Sequence, residues 1–195
     1  MNLYEPQRLH ALKQLNLLNT APGESFDRIT RMASQLFGLP ITAVSLTDTD
    51  RQWFKSRVGV DHWEIPRFKA CCGEVADTSG NLVIPDLLES PYYRDSNLAQ
   101  SGIRFYAGAP LTTRDGFTLG AMCVLGTEPR TVTDQEMTLL QDLAAMVMDQ
   151  IELQHAYGRI DALTGLPNRS QMNDDIQDMS RQPGLPISCS VSWWT

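Results

Sequence analysis

The sequence predicts an α+β domain in which helices pack on a central antiparallel sheet. Short β-rich runs occur at 41–47, 52–58, 82–84, 103–112 and 118–125. Most of them are joined by segments too short for a crossover helix, so neighbouring strands are expected to run antiparallel. Amphipathic helical patterns precede and follow these runs, and such helices need a sheet to cover. The 42% hydrophobic content of the 195 residues is ordinary for a globular chain.

The first 38 residues predict two helices. Leucines recur on one face of the first, at Leu9, Leu12, Leu15 and Leu18, before the turn residues 19–23. The second helix is expected to place Phe26, Ile29, Met32, Ala33 and Leu36 on its apolar side. Gly38 follows as a natural C-terminal stop.

The strands that follow are separated by recognisable turns and by one long connection. Asp115-Gly116 predicts a hairpin between the last two strands. The stretch 59–102 holds one short strand among irregular or helical pieces. A long segment of this kind usually forms a lid or a binding wall.

The last helix has a capping-box start at Thr133 and Glu136. Two apolar stripes follow it. One is a heptad seam of Leu139, Leu143, Met146, Leu153, Tyr157 and Ile160, and beside it lies a second stripe of Leu140, Ala144, Val147 and Ile151 that fades after Ile151. The seam predicts a homodimer through the helix 139–160. A core helix with a frayed end is the alternative, because Gly158 weakens the helix there.

Charge and cysteine content exclude several classes of function. The net charge of −7 and the scattered basic residues argue against nucleic-acid binding. No apolar stretch reaches about 18 residues, and the N-terminus lacks the features of a signal peptide, so we expect a cytoplasmic chain without a membrane partner. Cys71, Cys72, Cys123 and Cys189 lack metal-ligand spacing, so no metal site is expected, and buried free thiols are the favoured interpretation.

Five ordered segments resemble the GAF domains of bacterial signalling proteins. They are the strand-turn-strand 48–56, Pro66-Arg67 with 70–73, the short strand 83–86, and the hairpin strands 103–111 and 119–125. The resemblance spans roughly residues 5–152 and implies a sensory domain over residues 1–152. Residues 153–160 would continue its helix as a linker.

The nine residues 161–169 resemble the opening of GGDEF-type diguanylate cyclase domains. The match runs through Asp161, Leu163, Thr164, Gly165, Leu166, Asn168 and Arg169. The resemblance implies that 161–195 is an incomplete piece of such a domain. GTP and Mg²⁺ are implied only for a complete cyclase, because the carboxylates that hold the metal and the signature turn do not occur in this sequence. The chain itself is expected to be inactive as a cyclase and to need no cofactor.

The resemblance also implies a small-molecule pocket between the sheet and the crossover segment. Candidate lining residues are Trp53, His62, Trp63, Tyr92, Tyr93, Arg94 and Phe105. Aromatic rings with an arginine would suit a planar or anionic ligand. The alternative is that Tyr92, Tyr93 and Phe105 only pack the lid onto the sheet, and the ligand itself is unknown.

Two functions from different classes follow. The first is a regulatory GAF module of a cyclic di-GMP signalling protein, in which the last helix transmits a state to a diguanylate cyclase. The second is an enzyme, because some GAF proteins reduce free methionine sulfoxide with pocket cysteines. Cys72 and Cys123 are the candidate redox residues for that reaction. The linker and the cyclase-like opening favour the regulatory function.

Overall fold

The computed structural model describes residues 4–68 and 70–158, which form one six-stranded sheet with helices on both faces. The helices are α1 (Glu5–Gln14), α2 (Glu24–Phe37), α3 (Cys71–Thr78), α4 (Asn97–Gln100) and α5 (Asp134–Gly158). The strands are β1 (Ile41–Thr47), β2 (Arg51–Val58), β3 (Glu64–Pro66), β4 (Leu82–Ile84), β5 (Phe105–Thr112) and β6 (Thr118–Gly126). The predicted α+β class is confirmed.

The sheet has the strand order β3-β2-β1-β6-β5-β4, and every neighbouring pair is antiparallel. The predicted hairpin between β5 and β6 is present. Thr113 N–H donates to the Phe117 carbonyl at 2.9 Å, and Gly116 turns the chain at φ +86°. A left-handed φ of this kind favours glycine, which explains the Asp-Gly signal.

One face of the sheet is covered by α1, α2 and α5, whose apolar residues form a single buried cluster with the strands. The cluster includes Leu12, Phe26, Ile29, Val44, Met122, Val124, Leu140, Leu143, Val147 and Ile151. Two residues of α2 differ from expectation: Met32 and Leu36 are exposed. The helix buries a narrower stripe than its apolar residues suggested, and Gly38 ends it at φ +62° as predicted.

The other face of the sheet is covered by the long connection between β2 and β5. This stretch is more regular than its sequence indicated, since it contains β3, α3, β4 and α4. A second buried cluster forms here from Ala43, Phe54, Cys71, Cys72, Val75, Ile84, Leu87, Tyr93, Tyr106 and Cys123. The expectation of a wall over the sheet is therefore met by short helices.

The last helix begins as predicted. Glu136 N–H donates to Thr133 Oγ1 at 3.2 Å, and Thr133 N–H donates to Glu136 Oε2 at 2.9 Å. The stripe of Leu140, Ala144, Val147 and Ile151 is buried in the core. The residues of the heptad seam differ in burial. Leu143 is buried in the core, whereas Met146, Leu153 and Tyr157 are exposed.

The contacts divide the chain into two units, 1–152 and 153–195. The second unit is described only for residues 153–158 of α5. Ile160 and the cyclase-like segment 161–169 lie outside the described residues, as does Cys189. In the described part of the chain, no helix has both the length and the apolar character to cross a membrane.

Candidate functional site

A cavity of about 300 Å³ lies between the sheet and the connection that covers it. The strands contribute Ile41, Ala43, Phe54, Tyr106, Cys123 and Leu125, and the connection contributes Asp61, His62, Ile65, Ala70, Cys71, Cys72, Leu98 and Ile103 among others. Alternation along a strand explains which strand residues line the cavity, because successive side chains point to opposite faces of the sheet. On β6, Cys123 faces the cavity, while Met122 and Val124 face the side of the sheet that α1, α2 and α5 cover.

Two cysteines from distant parts of the chain meet at the cavity wall. Cys72, in the first turn of α3, and Cys123 of β6 have their Sγ atoms 3.7 Å apart. The hydroxyl of Tyr106 donates to Cys72 Sγ at 3.3 Å, and Cys123 Sγ donates to the Ala43 carbonyl at 3.5 Å. All three side chains are buried.

The two thiols differ in acidity. The pKa of Cys72 is lowered, first by its hydrogen bond with Cys123 and then by the one from Tyr106, against the opposing effect of burial. The pKa of Cys123 is raised well above its usual range by that same hydrogen bond and by burial. Cys72 is therefore the more easily ionised of the two thiols. Burial raises the pKa of the adjacent Cys71.

A polar cluster lies beside Cys72 under α3. Gln52 Oε1 accepts from Ser45 Oγ at 3.0 Å and from Thr47 Oγ1 at 2.9 Å. Among the described residues, Gln52 Nε2 is a buried side-chain nitrogen with no hydrogen-bond partner. A Cβ added at Gly73 would come 3.3 Å from this nitrogen, so the space above it depends on glycine. Gln52 holds Ser45 and Thr47 in place behind the thiol pair.

An open groove of about 1120 Å³ runs beside α3 and β4. Of the predicted site residues it contains Tyr92, which is exposed, and Tyr93, which is buried and donates from its hydroxyl to Glu74. The groove also carries the acidic side chains Asp77, Asp86 and Glu89, with Arg67 as its one basic lining residue in the described structure. This charge balance does not suit an anion. Arg94 is exposed and does not line the groove.

The remaining predicted pocket residues separate. His62 lines the cavity, with its ring centroid 5.9 Å from that of Phe54. Trp63 is partly exposed under the Arg57 guanidinium, 3.4 Å from its ring. Trp53 and Phe105 were expected in the pocket, but both are buried in the cluster on the helix side of the sheet. Successive side chains of a strand point to opposite faces, and on these two strands the neighbouring residue faces the cavity. That neighbour is Phe54 on β2 and Tyr106 on β5, so Trp53 and Phe105 point away.

The sequence analysis missed Tyr106, which lines the cavity and donates a hydrogen bond to Cys72. The pattern Phe105-Tyr106 on β5 required one aromatic on each face, and the strand's alternation alone left the assignment open. In the described part of the chain, no group of three or more His, Cys, Asp or Glu side chains is arranged to hold a metal ion.

Comparison with known proteins gives a family and a fold. The family model described as "GAF domain" matches residues 22–151. Among solved structures, the GAF domain of an Acinetobacter phosphoenolpyruvate-protein phosphotransferase superposes with a TM-score of 0.59 at 15% identity, covering 82% of this chain and 100% of that one. A free methionine-R-sulfoxide reductase of Neisseria meningitidis gives 0.59 at 18% identity, covering 78% and 88%. At these identities the structures show the fold alone.

A curated relative extends beyond the domain. A cyclic di-GMP phosphodiesterase of Pseudomonas aeruginosa is 35% identical over 175 residues, which is 88% of this chain and 30% of that protein. The chain thus spans less than a third of this relative's length. A matched span of that size in a 195-residue chain necessarily includes residues 161–169. With the family model matching well over half of its residues, the chain belongs to the GAF domain family.

Proposed function

We propose that the chain is the regulatory, sensory GAF module of a cyclic di-GMP signalling protein. The observation that carries this proposal is the arrangement of β6, where Cys123 lines the cavity and Met122 and Val124 belong to the buried cluster that includes Leu143 and Val147 of α5. A change in the cavity is thus one residue away from the helix that leads out of the domain. A close-packed protein interior has low compressibility, so a shift of one side chain is transmitted to its neighbours.

The link to cyclic di-GMP is supported by the Pseudomonas relative, which is named as a phosphodiesterase. The resemblance of residues 161–169 had implied a diguanylate cyclase, but the same residues fall within the span matched to that phosphodiesterase. The segment therefore does not separate synthesis of cyclic di-GMP from its hydrolysis, and the comparisons do not support the cyclase. We favour a module that regulates the turnover of this nucleotide.

The ligand that the cavity would accept is small, uncharged and largely apolar. Its volume of about 300 Å³ is at the lower end of ligand sites, which run from about 300 to 1,000 Å³. Asp61 is the one carboxylate, and no lysine or arginine occurs, among the described lining residues. A cavity of this composition does not neutralise an anionic ligand.

The exposed stripe on α5 supports pairing with a second copy of the chain. Met146, Leu153 and Tyr157 are between 44% and 73% exposed, although they follow one another at seven- and four-residue spacing. An apolar helix stripe that the described residues leave exposed is typical of a partner surface. A parallel pair would bring the two copies of the following segment together.

A domain exchange tests the proposal. The region of the Pseudomonas phosphodiesterase that matches this chain is replaced by the chain, and cyclic di-GMP hydrolysis and synthesis are both measured. We expect the hybrid to retain hydrolysis, and Leu98→Trp, which fills the cavity, to change its rate several-fold. Leu36→Trp, on the exposed side of α2, is the control and should leave the rate unchanged. A folded hybrid whose rate of cyclic di-GMP hydrolysis is unchanged by Leu98→Trp would contradict a sensory role.

The thiol pair supports a second candidate function, the reduction of free methionine sulfoxide. A thiolate at Cys72 could attack the sulfur of methionine sulfoxide, and Cys123 could then close a disulfide. The zwitterionic substrate is poorly matched by a cavity without a lysine or arginine among its described residues. Release of methionine from free methionine sulfoxide with a thiol reductant, lost in Cys72→Ser, would establish the reductase in place of the sensor.

A further inference from the structure

The two thiols at the cavity wall have the placement of a reactive pair. Both Cys72 and Cys123 line the cavity, and its rim carries the exposed residues Asp61, His62 and Ser101, so a small molecule has a route to sulfur. The nearest further thiol among the described residues, Cys71, is directly adjacent to Cys72, and adjacent cysteines rarely form a disulfide. Cys123 is therefore the natural partner of Cys72.

We propose that Cys72 and Cys123 form a hydroperoxide-reactive dithiol, in which Cys72 is oxidised first and Cys123 then closes a disulfide. Two features single out Cys72 as the sulfur that is oxidised first. It accepts a hydrogen bond from Tyr106, and it lies in the first turn of α3, where the helix dipole stabilises a thiolate. Cys123, by contrast, keeps its proton against the Ala43 carbonyl.

The reaction balances with a hydroperoxide as the one co-reactant. The Cys72 thiolate attacks one peroxide oxygen and the O–O bond breaks. The other oxygen leaves, taking up the proton that Cys72 released on ionising, as water or an alcohol. Cys72 is then a sulfenic acid. Cys123 loses its proton and attacks this sulfur, the S–O bond breaks and the oxygen leaves as water. Two thiols and one peroxide thus give one disulfide.

Closing the disulfide would change the shape of the domain. The two sulfurs must move from 3.7 Å to about 2.05 Å, which draws the start of α3 toward β6. The end of α3 carries Asp77, which accepts from Arg67, and Arg67 also binds Glu5 of α1. Oxidation would therefore reach the cavity and the first helix at once. Its regulatory consequence rests on the proposed sensory function, whereas the sulfur chemistry does not.

The test reads the sulfur atoms directly. The full chain carrying Cys189→Ser is treated with one to ten equivalents of hydrogen peroxide, alkylated under denaturing conditions and mapped as non-reduced peptides. We expect one intramolecular disulfide joining the Cys72 and Cys123 peptides and the loss of two free thiols. Cys123→Ser should stop at a sulfenic acid on Cys72, trapped by dimedone, and Cys72→Ser should form no disulfide.

Cys71→Ser is the matched control, because it removes a buried thiol from the same helical turn and should leave the disulfide intact. Tyr106→Phe removes the donor and should move the pH profile of Cys72 alkylation to higher pH, an effect that a packing role would not produce. Peroxide that leaves all thiols free, or that joins Cys71 or a second chain instead, would overturn the proposal. These outcomes are independent of any cyclic di-GMP activity.

Discussion

Arg67 Nη1 donates to Glu5 Oε1 at 2.6 Å, and this contact joins the first helix to the segment that leads into α3. Arg8 binds the same carboxylate from the other side, with Nε 2.7 Å from Oε2. Arg67 also donates to Asp77. Glu5, which does not line the cavity, therefore helps to position the helix that carries Cys72.

Glu5→Gln should lower the free energy of unfolding by about 1 kcal/mol at pH 7, because the variant loses a partly buried ion pair. Hydrogen bonds from Arg8 and then Arg67 lower the pKa of Glu5 from 4.5 to about 2. Since the folded pKa lies below the unfolded one, this stabilisation is complete above pH 4.5 and is lost as the pH falls toward 2. Urea unfolding of both chains from pH 3 to 7 measures it.

The difference in free energy of unfolding between Glu5→Gln and the unaltered chain should shrink as the pH falls from 7 to 3. Glu24→Gln is the control, since the Glu24–Arg31 pair is exposed and its loss should have no measurable effect. Equal loss in both variants at every pH would show that the Glu5 contacts have no special role.

Thr133→Ala should lower the free energy of unfolding by about 1 kcal/mol, because it removes the N-cap hydroxyl of α5. Thr138→Ala, one turn later on the same helix, should be neutral or slightly stabilising, since alanine is the better helix former. Chemical denaturation of the two variants side by side provides the measurement. A larger loss in Thr138→Ala would refute the capping role.

Gly120→Ala should destabilise the domain by about 3 kcal/mol through overpacking. A Cβ at Gly120 would come 1.9 Å from the carbonyl oxygen of Ser45, which is backbone in the paired strand β1 and cannot move aside. Gly80→Ala is the matched control, since its nearest neighbour would be 3.8 Å away. Thermal unfolding should separate the two variants clearly, and similar melting temperatures would contradict this reading of the β1–β6 contact.

The chain should sediment as a dimer at micromolar concentration, and the double variant Met146→Glu with Leu153→Glu should be a monomer. Charges on the exposed stripe of α5 cannot be buried in a second copy without a large cost. Leu36→Glu is the control, because Leu36 is 54% exposed on α2 and Leu153 is 50% exposed on α5. Sedimentation equilibrium distinguishes the forms, and a monomeric unaltered chain would exclude the dimer.

The features that the sequence determined are local ones. The capping box at Thr133 depends on residues three positions apart, the β5–β6 turn depends on Asp115-Gly116, and the end of α2 depends on Gly38. Each is specified by the conformational preferences of a few neighbouring residues, and each was predicted correctly. The ordered segments that resemble GAF domains likewise predicted the family, which the matched model confirms.

The tertiary structure alone decided which residues surround the cavity. Strand periodicity requires Phe105 and Tyr106 to face opposite sides of the sheet, but a shift of one residue exchanges them, and only the packing of both faces resolves the choice. The same packing buries Trp53 on the helix side and brings Cys72 to within 3.7 Å of Cys123, across 51 residues of chain. Contacts of this kind depend on how separate elements dock, and no preference of neighbouring residues encodes that distance.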